Sequence, residues 1–184
     1  MPSARSARLI PLSGEGAVRF WRDSEEMRIK NYVLIVLAAG SCLFAGVQGA
    51  SAGGLSGTEA GLLRAVNATR AAYGLRPVRY DAILERAARA HSAEMLRDHY
   101  FAHGAFRQRM LAFHVRGPFV GENLAWGAGS FATPQAVIRE WLASPEHRAN
   151  LLRPGFERIG IGTVNGSFRG FDGAVVITAD FGGR

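Results

Sequence analysis

Cysteine and lysine are almost missing from this sequence: Cys42 and Lys30 are the only ones among 184 residues. Cys42 sits in an apolar stretch near the N-terminus, so the rest of the chain can close no disulfide and holds no thiol nucleophile. A secreted form must therefore be stable through packing alone. With so little lysine, the positive charge is almost all arginine, 22 basic against 15 acidic side chains for a net +7. It is scattered rather than gathered in blocks, and no reading motif accompanies it, which argues for no nucleic-acid partner. Also missing are internal repeats, a Gly-x-Ser-x-Gly nucleophile elbow, and an unbroken apolar run of the ~20 residues that a stable membrane span needs. The one long apolar stretch, YVLIVLAAGSCLFAGV, is interrupted by Gly40, Ser41 and Gly46.

That stretch has the grammar of a targeting signal. MRIK, from Met27, is a short basic lead, the apolar run follows, and Ala50-Ser51-Ala52 is a small-residue cleavage pattern that places the cut before Gly53. The expected organisation is a signal peptide over 27–52 and a single domain over 53–184, secreted to the extracellular or periplasmic space, with no stable membrane span in the mature form. An uncleaved anchor is the alternative. Lipidation at Cys42 is disfavoured, because Ala39-Gly40-Ser41 lacks the leucine expected three before a lipidated cysteine. Residues 1–26 are read as a mis-called extension, with translation starting at Met27; peptides from LIPLSGEGAVR in the precursor would sink that reading. The length suits one domain, and 48% hydrophobic residues suffice for a core.

Along the domain, Ser56 followed by Glu59 is a capping box, and Leu62, Val66, Thr69 and Tyr73 recur at helical spacing. A first helix is expected from about 57 to Gly74, then an extended link through Pro77. Asp81 should cap a second helix that carries Leu84, Ala87, Ala88, His91 and Met95 on one stripe. After Tyr100 the period is lost, and a loop with at most one helical turn is expected up to Phe119. VGENLAWG reads as extended. Thr133-Pro134 opens a third helix, and Ser144-Pro145 repeats the same start, so two helices meet there. RIGIGTV and GAVVITADFG are β-rich, and Asn165-Gly166 between them is the expected hairpin turn. The pattern is α+β, with GENLAW as a third strand beside the antiparallel pair.

Candidate chemistry rests on histidines 91, 99, 103, 114 and 147 and on Glu122. His91 lies on an apolar face, where a core histidine with a satisfied hydrogen bond is the simpler reading. His99 and His103 are four apart, but HYFAH lacks the glutamate of a zinc-protease helix, and Gly104 signals that the helix has ended. A set of His103, Glu122 and His147 would suit a divalent transition metal, zinc above all, with coordination positions left open. Without metal the same groups can do acid–base work. Against this stand simpler readings: His147 as a helix-start residue, and Glu122 as a carboxylate bonded to backbone amides. Ser144 is explained by helix capping, and the sequons at Asn67 and Asn165 carry no weight.

Taken in order, LLRAVNATRAAYGLRPVRYDAILERAARAHSAEM, YFAHG, GENLAWG, AVIREWLASPEHRANLL, FERIGIG and the closing ADFG resemble the CAP superfamily. This is the SCP-like extracellular domain of cysteine-rich secretory proteins, venom antigens, pathogenesis-related proteins and bacterial envelope proteins, and the form is similar to the compact bacterial branch. The resemblance implies an α-β-α sandwich with a central antiparallel sheet of about three strands flanked by helices. It also implies a cleft where two histidines and acidic residues converge, able in some members to hold a divalent cation. By position, YFAHG supplies His103, GENLAW supplies Glu122 and SPEHRANLL supplies His147. The family's second acid falls at Ser144, Glu146 being out of register and read as facing solvent or supporting the cap, so one expected member is missing. Asn67, Arg70 and Asn150 also match, as structural hydrogen-bonding residues. The function implied is a secreted binding module for a lipid, a cell-wall component or a protein. The alternatives are a metal-assisted peptidase with Glu122 as base, and a structural interaction protein of the envelope.

Overall fold

The computed structural model describes residues 55–183. The signal peptide, its cleavage point and the extension over 1–26 lie outside them. Helix α1 runs Gly57–Ala72, begun by the expected capping box: the Glu59 amide donates to Ser56 Oγ at 3.3 Å, and the Ser56 amide donates to Glu59 Oε2 at 2.8 Å. It stops at Gly74, whose φ of +70° lets the Leu75 amide reach back to the Arg70 carbonyl at 2.9 Å, a left-handed closure that glycine adopts without strain. The extended link after it is strand β1, Arg79–Tyr80. Asp81 then caps α2, Ala82–Arg97, by accepting from the Ile83 and Leu84 amides at 2.8 and 3.1 Å.

The segment expected to be mostly loop holds a two-turn helix, α3, Phe106–Ala112. Its hydrophobic signal is short, but Met110 buries against the cluster of Leu84 and Ala87, and tertiary burial decides where propensity is weak. Strand β2 is Phe119–Gly127. Helix α4, Pro134–Ala143, starts as expected from a Thr133 cap, and α5, Pro145–Leu151, follows at once. Ser144 does not cap α5 with its side chain. Its hydroxyl instead donates to the exposed Glu146 carboxylate at 3.2 Å, a charged and therefore stronger acceptor.

Strands β3, Phe156–Phe168, and β4, Phe171–Gly183, complete a sheet of order β1-β3-β4-β2. Three antiparallel strands were expected; the short β1 adds a fourth, parallel to β3, because the Asp81 amide donates to the Ile159 carbonyl at 2.9 Å and draws the link onto the sheet edge. The hairpin turn is also displaced from its expected place. Asn165 and Gly166 stay in the ladder opposite Val175 and Ala174, and the chain reverses at Arg169-Gly170, between paired Phe168 and Phe171. Both turn residues have positive φ, +51° and +85°, as a two-residue primed turn requires. The Arg169 guanidinium lies over the Phe101, Trp126 and Phe168 rings at 5.9, 5.9 and 5.7 Å, contacts that offset its strained backbone.

Helices cover both faces of the sheet, making an α-β-α sandwich. On one face α1, α4 and α5 bury Leu62, Val66, Val137, Trp141 and Leu151 against Ile159, Ile161, Ile177 and Phe181. On the other lie α2 and α3. The sequence IGIG explains how one strand serves both. Its isoleucines enter the apolar layer, while Gly160 and Gly162 let α2 lie directly on the strand: a Cβ at either would sit 1.9 or 2.1 Å from the Glu85 or Arg89 backbone nitrogen.

Candidate functional site

Glu122 is on β2, at the sheet edge beyond β4, with Asp180 of β4 opposite it in the ladder. Alternation along a strand sends side chains to opposite faces. Thus Glu122, Leu124 and Trp126 face α2, while Ala125 joins the opposite core. Glu122 is 4% exposed, and both its carboxylate oxygens are engaged. His103 Nδ1 donates to Oε1 at 2.7 Å, and the Arg109 guanidinium, carried in by α3, donates to Oε2. A carboxylate only accepts, so a proton of His103 sits on Nδ1, and in the neutral form of the ring the lone pair is on Nε2.

His147 comes from the other wall. It lies on α5, 8% exposed, and its ring centre is 6.4 Å from that of His103. Side-chain amides pin this wall to β2. Asn123 Nδ2 donates to the His147 carbonyl at 2.9 Å, and Asn150 Nδ2 donates to the Glu122 carbonyl and Asn123 Oδ1 at 3.0 and 3.1 Å. The Trp141 indole adds a bond to the Leu124 carbonyl at 2.9 Å, fixing α4 to the same strand. The cleft therefore straddles the β2 edge, with His103 half exposed at its mouth.

The three residues named from the sequence are thus brought together, while the others fall elsewhere. His99 and His114 each take a positive φ, +54° and +55°, directly after α2 and α3, where the following amides donate back to Met95 and Met110 carbonyls; they are helix stops. His91 is fully buried, and its Nε2 donates to the Ala102 carbonyl at 3.0 Å, but its Nδ1 stands 3.6 Å from Glu94 Oε2 without a hydrogen bond, so the simpler reading of a satisfied core histidine holds for one ring nitrogen only. It nonetheless lies 4.0 Å from Glu122 Oε2. Burial lowers its pKa, outweighing the attraction of Glu122. Ser144 and Glu146 bond to each other at the start of α5.

Residues 63–181 match the cysteine-rich secretory protein family, CAP. The chain belongs to that family. It is 36% identical over 115 residues to the uncharacterized protein YkwD of Bacillus subtilis, a match covering 60% of this chain and 44% of the relative. The uncharacterized membrane protein YlbC of the same species is 29% identical over 110 residues, with 57% and 31% covered. This CAP chain therefore spans less than half the length of these curated relatives. An extracellular protein containing a SCP domain from Bacillus anthracis superposes with a TM-score of 0.58 and 26% identity, over 70% of this chain and 41% of that one. An outer surface protein of Borrelia burgdorferi shares the fold, with a TM-score of 0.58 at 22% identity, over 67% and 90% of the two chains.

Two residues of the site had escaped the sequence reading. Arg109 carries no local signal, since only the fold brings α3 over β2. Asp180 did leave one: a lone carboxylate inside the apolar strand AVVITADFG. It is fully buried, and neither oxygen has a hydrogen-bond partner among the described residues. Burial first, and the charge of Glu122 second, push its carboxyl well above the usual carboxylate range, against a smaller pull from Arg109. Beside it Ser92 Oγ contacts the Gly162 carbonyl and Thr178 Oγ1 at 3.0 and 2.9 Å, so a polar seam runs inward from the cleft under α2. Among the described residues no set of three His, Cys, Asp or Glu side chains is arranged to hold a metal ion, and no helix is long and apolar enough to cross a membrane.

Proposed function

We propose that this CAP domain is an extracellular binding module whose cleft, between His103 and His147, takes a polar ligand or a weakly held divalent cation. The observation that carries the reading is the chain Arg109–Glu122–His103. A carboxylate on Nδ1 of a histidine fixes its tautomer and raises the basicity of the other nitrogen, as it does behind many metal-bound histidines. Glu122 is thus an orienting group, with its second oxygen held by a guanidinium, rather than a direct ligand or a general base. The donor chemistry that remains, two imidazoles on facing walls, fits zinc better than a hard cation. Bound there, the ion would polarise a ligand oxygen; His103 and His147 would hold it, and Glu122 would keep His103 aimed. The secreted setting of this reading agrees with the extracellular relative from Bacillus anthracis.

Calorimetric zinc titration of the full-length chain tests the site. His103→Ala and His147→Ala should each abolish the heat of binding, and Glu122→Gln should weaken it by about 10–100-fold, the usual effect of losing an orienting partner. Unchanged binding in both histidine variants discards the cation. Cleavage of a broad peptide library that disappears in Glu122→Gln would instead make the protein a hydrolase whose activity depends on Glu122.

A further inference from the structure

Away from the cleft, two open grooves meet where the α1–β1 link packs against the end of α5. One, of about 710 Å³, holds Arg76 and Arg79; the other, of about 550 Å³, holds Arg148 and Arg153; Pro154 lines both. All four arginines are exposed, and none forms an ion pair among the described residues. Glu157 is the one carboxylate lining either groove among those residues. Arg148 lies 5.2 Å above the Tyr73 ring, and Arg153 lies 5.4 Å from both the Phe119 and Phe156 rings. Stacking holds a guanidinium flat and leaves its edge donors outward, the geometry that grips phosphate oxygens.

The two arginine-bearing segments are also locked together from beneath. The fully buried Arg70 donates to the Arg76, Leu151, Arg153 and Phe156 carbonyls at 2.9, 2.9, 3.1 and 3.2 Å. That clamp fixes the spacing of the exposed arginines instead of leaving them on independent loops. Fixed spacing lowers the ordering cost of a multivalent contact.

We propose that these joined grooves bind a linear phosphodiester polymer of the polyol-phosphate kind, an anionic chain without bases. The paired grooves fit an extended chain better than a flat bilayer. Nucleic acid is the poorer match, since single-strand binders use open aromatic platforms for the bases, and here arginine already covers Tyr73 and Phe119. The occupant is set by phosphates spaced along a flexible backbone, each met by one guanidinium. Arg148 directly follows His147 on α5, but its guanidinium lies over Tyr73 and not beside the imidazole pair.

The full-length protein is tested for binding to immobilised poly(glycerol phosphate) at rising salt. Four phosphate contacts predict a log–log salt slope of up to about −3, at roughly 0.7 per contact. Arg76→Ser with Arg79→Ser, two exposed side chains, should lower the magnitude of that slope by about 1.4 and the affinity by at least tenfold. Adding Arg148→Ser and Arg153→Ser should abolish binding, while His103→Ala leaves it intact. The proposal is overturned if the double variant binds as the parent does or if binding is insensitive to salt. It is also overturned if phosphatidylglycerol–phosphatidylcholine vesicles or a single-stranded oligonucleotide bind more tightly than the polymer, which would make the patch a membrane or nucleic-acid surface.

Discussion

The two faces of the sheet follow different rules. The face under α1, α4 and α5 carries a continuous apolar layer, from Leu62 to Phe181, and its buried polar side chains Arg70 and Asn123 form hydrogen bonds that tie the elements together. The face under α2 and α3 breaks into smaller apolar clusters, and the gap at the cleft holds the buried polar groups His91, Ser92, Glu122, Thr178 and Asp180. The first face meets the usual requirement of burial. The second departs from it, at a cost, around the candidate site, and such departures are what functional sites look like in an otherwise consistent fold.

Neighbouring residues on β3 give the sharpest way to break this contrast. Gly162→Ala points a methyl at the Arg89 backbone nitrogen, 2.1 Å away. The helix would have to leave the strand, so a loss above ~4 kcal/mol, seen as failure to give a folded far-UV and near-UV spectrum, is expected. Ile161→Val, one residue earlier on the dry face, should cost only about 0.5–1.5 kcal/mol. Equal effects at the two positions would show that α2 can yield, and that the faces do not differ in tolerance.

A smaller but still large effect is expected at Arg109. Arg109→Met leaves the buried Glu122 carboxylate without its guanidinium, and breaking one partner of a buried pair costs about 3–5 kcal/mol. The double variant Arg109→Met with Glu122→Gln should recover most of that loss in urea unfolding, because the uncompensated charge goes too. Additive losses would mean that Arg109 stabilises through packing of α3 and not through Glu122.

How much of this was legible depended on which face wrote itself into the sequence. Helical spacing through Leu62, Val66 and Trp141, and the caps at Ser56, Asp81 and Thr133, are local patterns, and they yield the helices and the apolar layer almost directly. The resemblance placed His103, Glu122 and His147, which do meet. What escaped depends on contacts distant in the chain. Arg109 reaches Glu122 only once α3 exists, and α3 exists because Met110 finds a buried place. The hairpin moved because Asn165-Gly166, a good turn locally, is needed under α2: a Cβ on Gly166 would meet Leu96 Cδ2 at 2.8 Å. Arg70 is structural, as its place in the resemblance implied.

The smallest effect expected probes the wet face by pH. Asp180 is fully buried, and its folded pKa is raised, by burial first and Glu122 second, so between its unfolded value of about 3.9 and the raised folded one, the folded state holds more protons. Stability must then fall as pH rises through that window. Asp180→Asn cannot ionise, so at neutral pH it should be the more stable protein, a gain that vanishes at acid pH. Glu59 and Asp81 act in the opposite sense. Burial acts to raise both, but hydrogen bonds from Arg89, Ser56 and Thr163 to the first, and from Leu84, Arg158 and Ile83 to the second, hold their pKa values below the ordinary 4.5 and 3.8. Their stabilisation is present above those values and is lost as pH falls through the lowered ones. Parent and variant should therefore share the acid limb of a melting-temperature profile and part only above it. If Asp180→Asn is instead the less stable protein at neutral pH, the aspartate is ionised there and belongs with Glu122 as a second partner of Arg109.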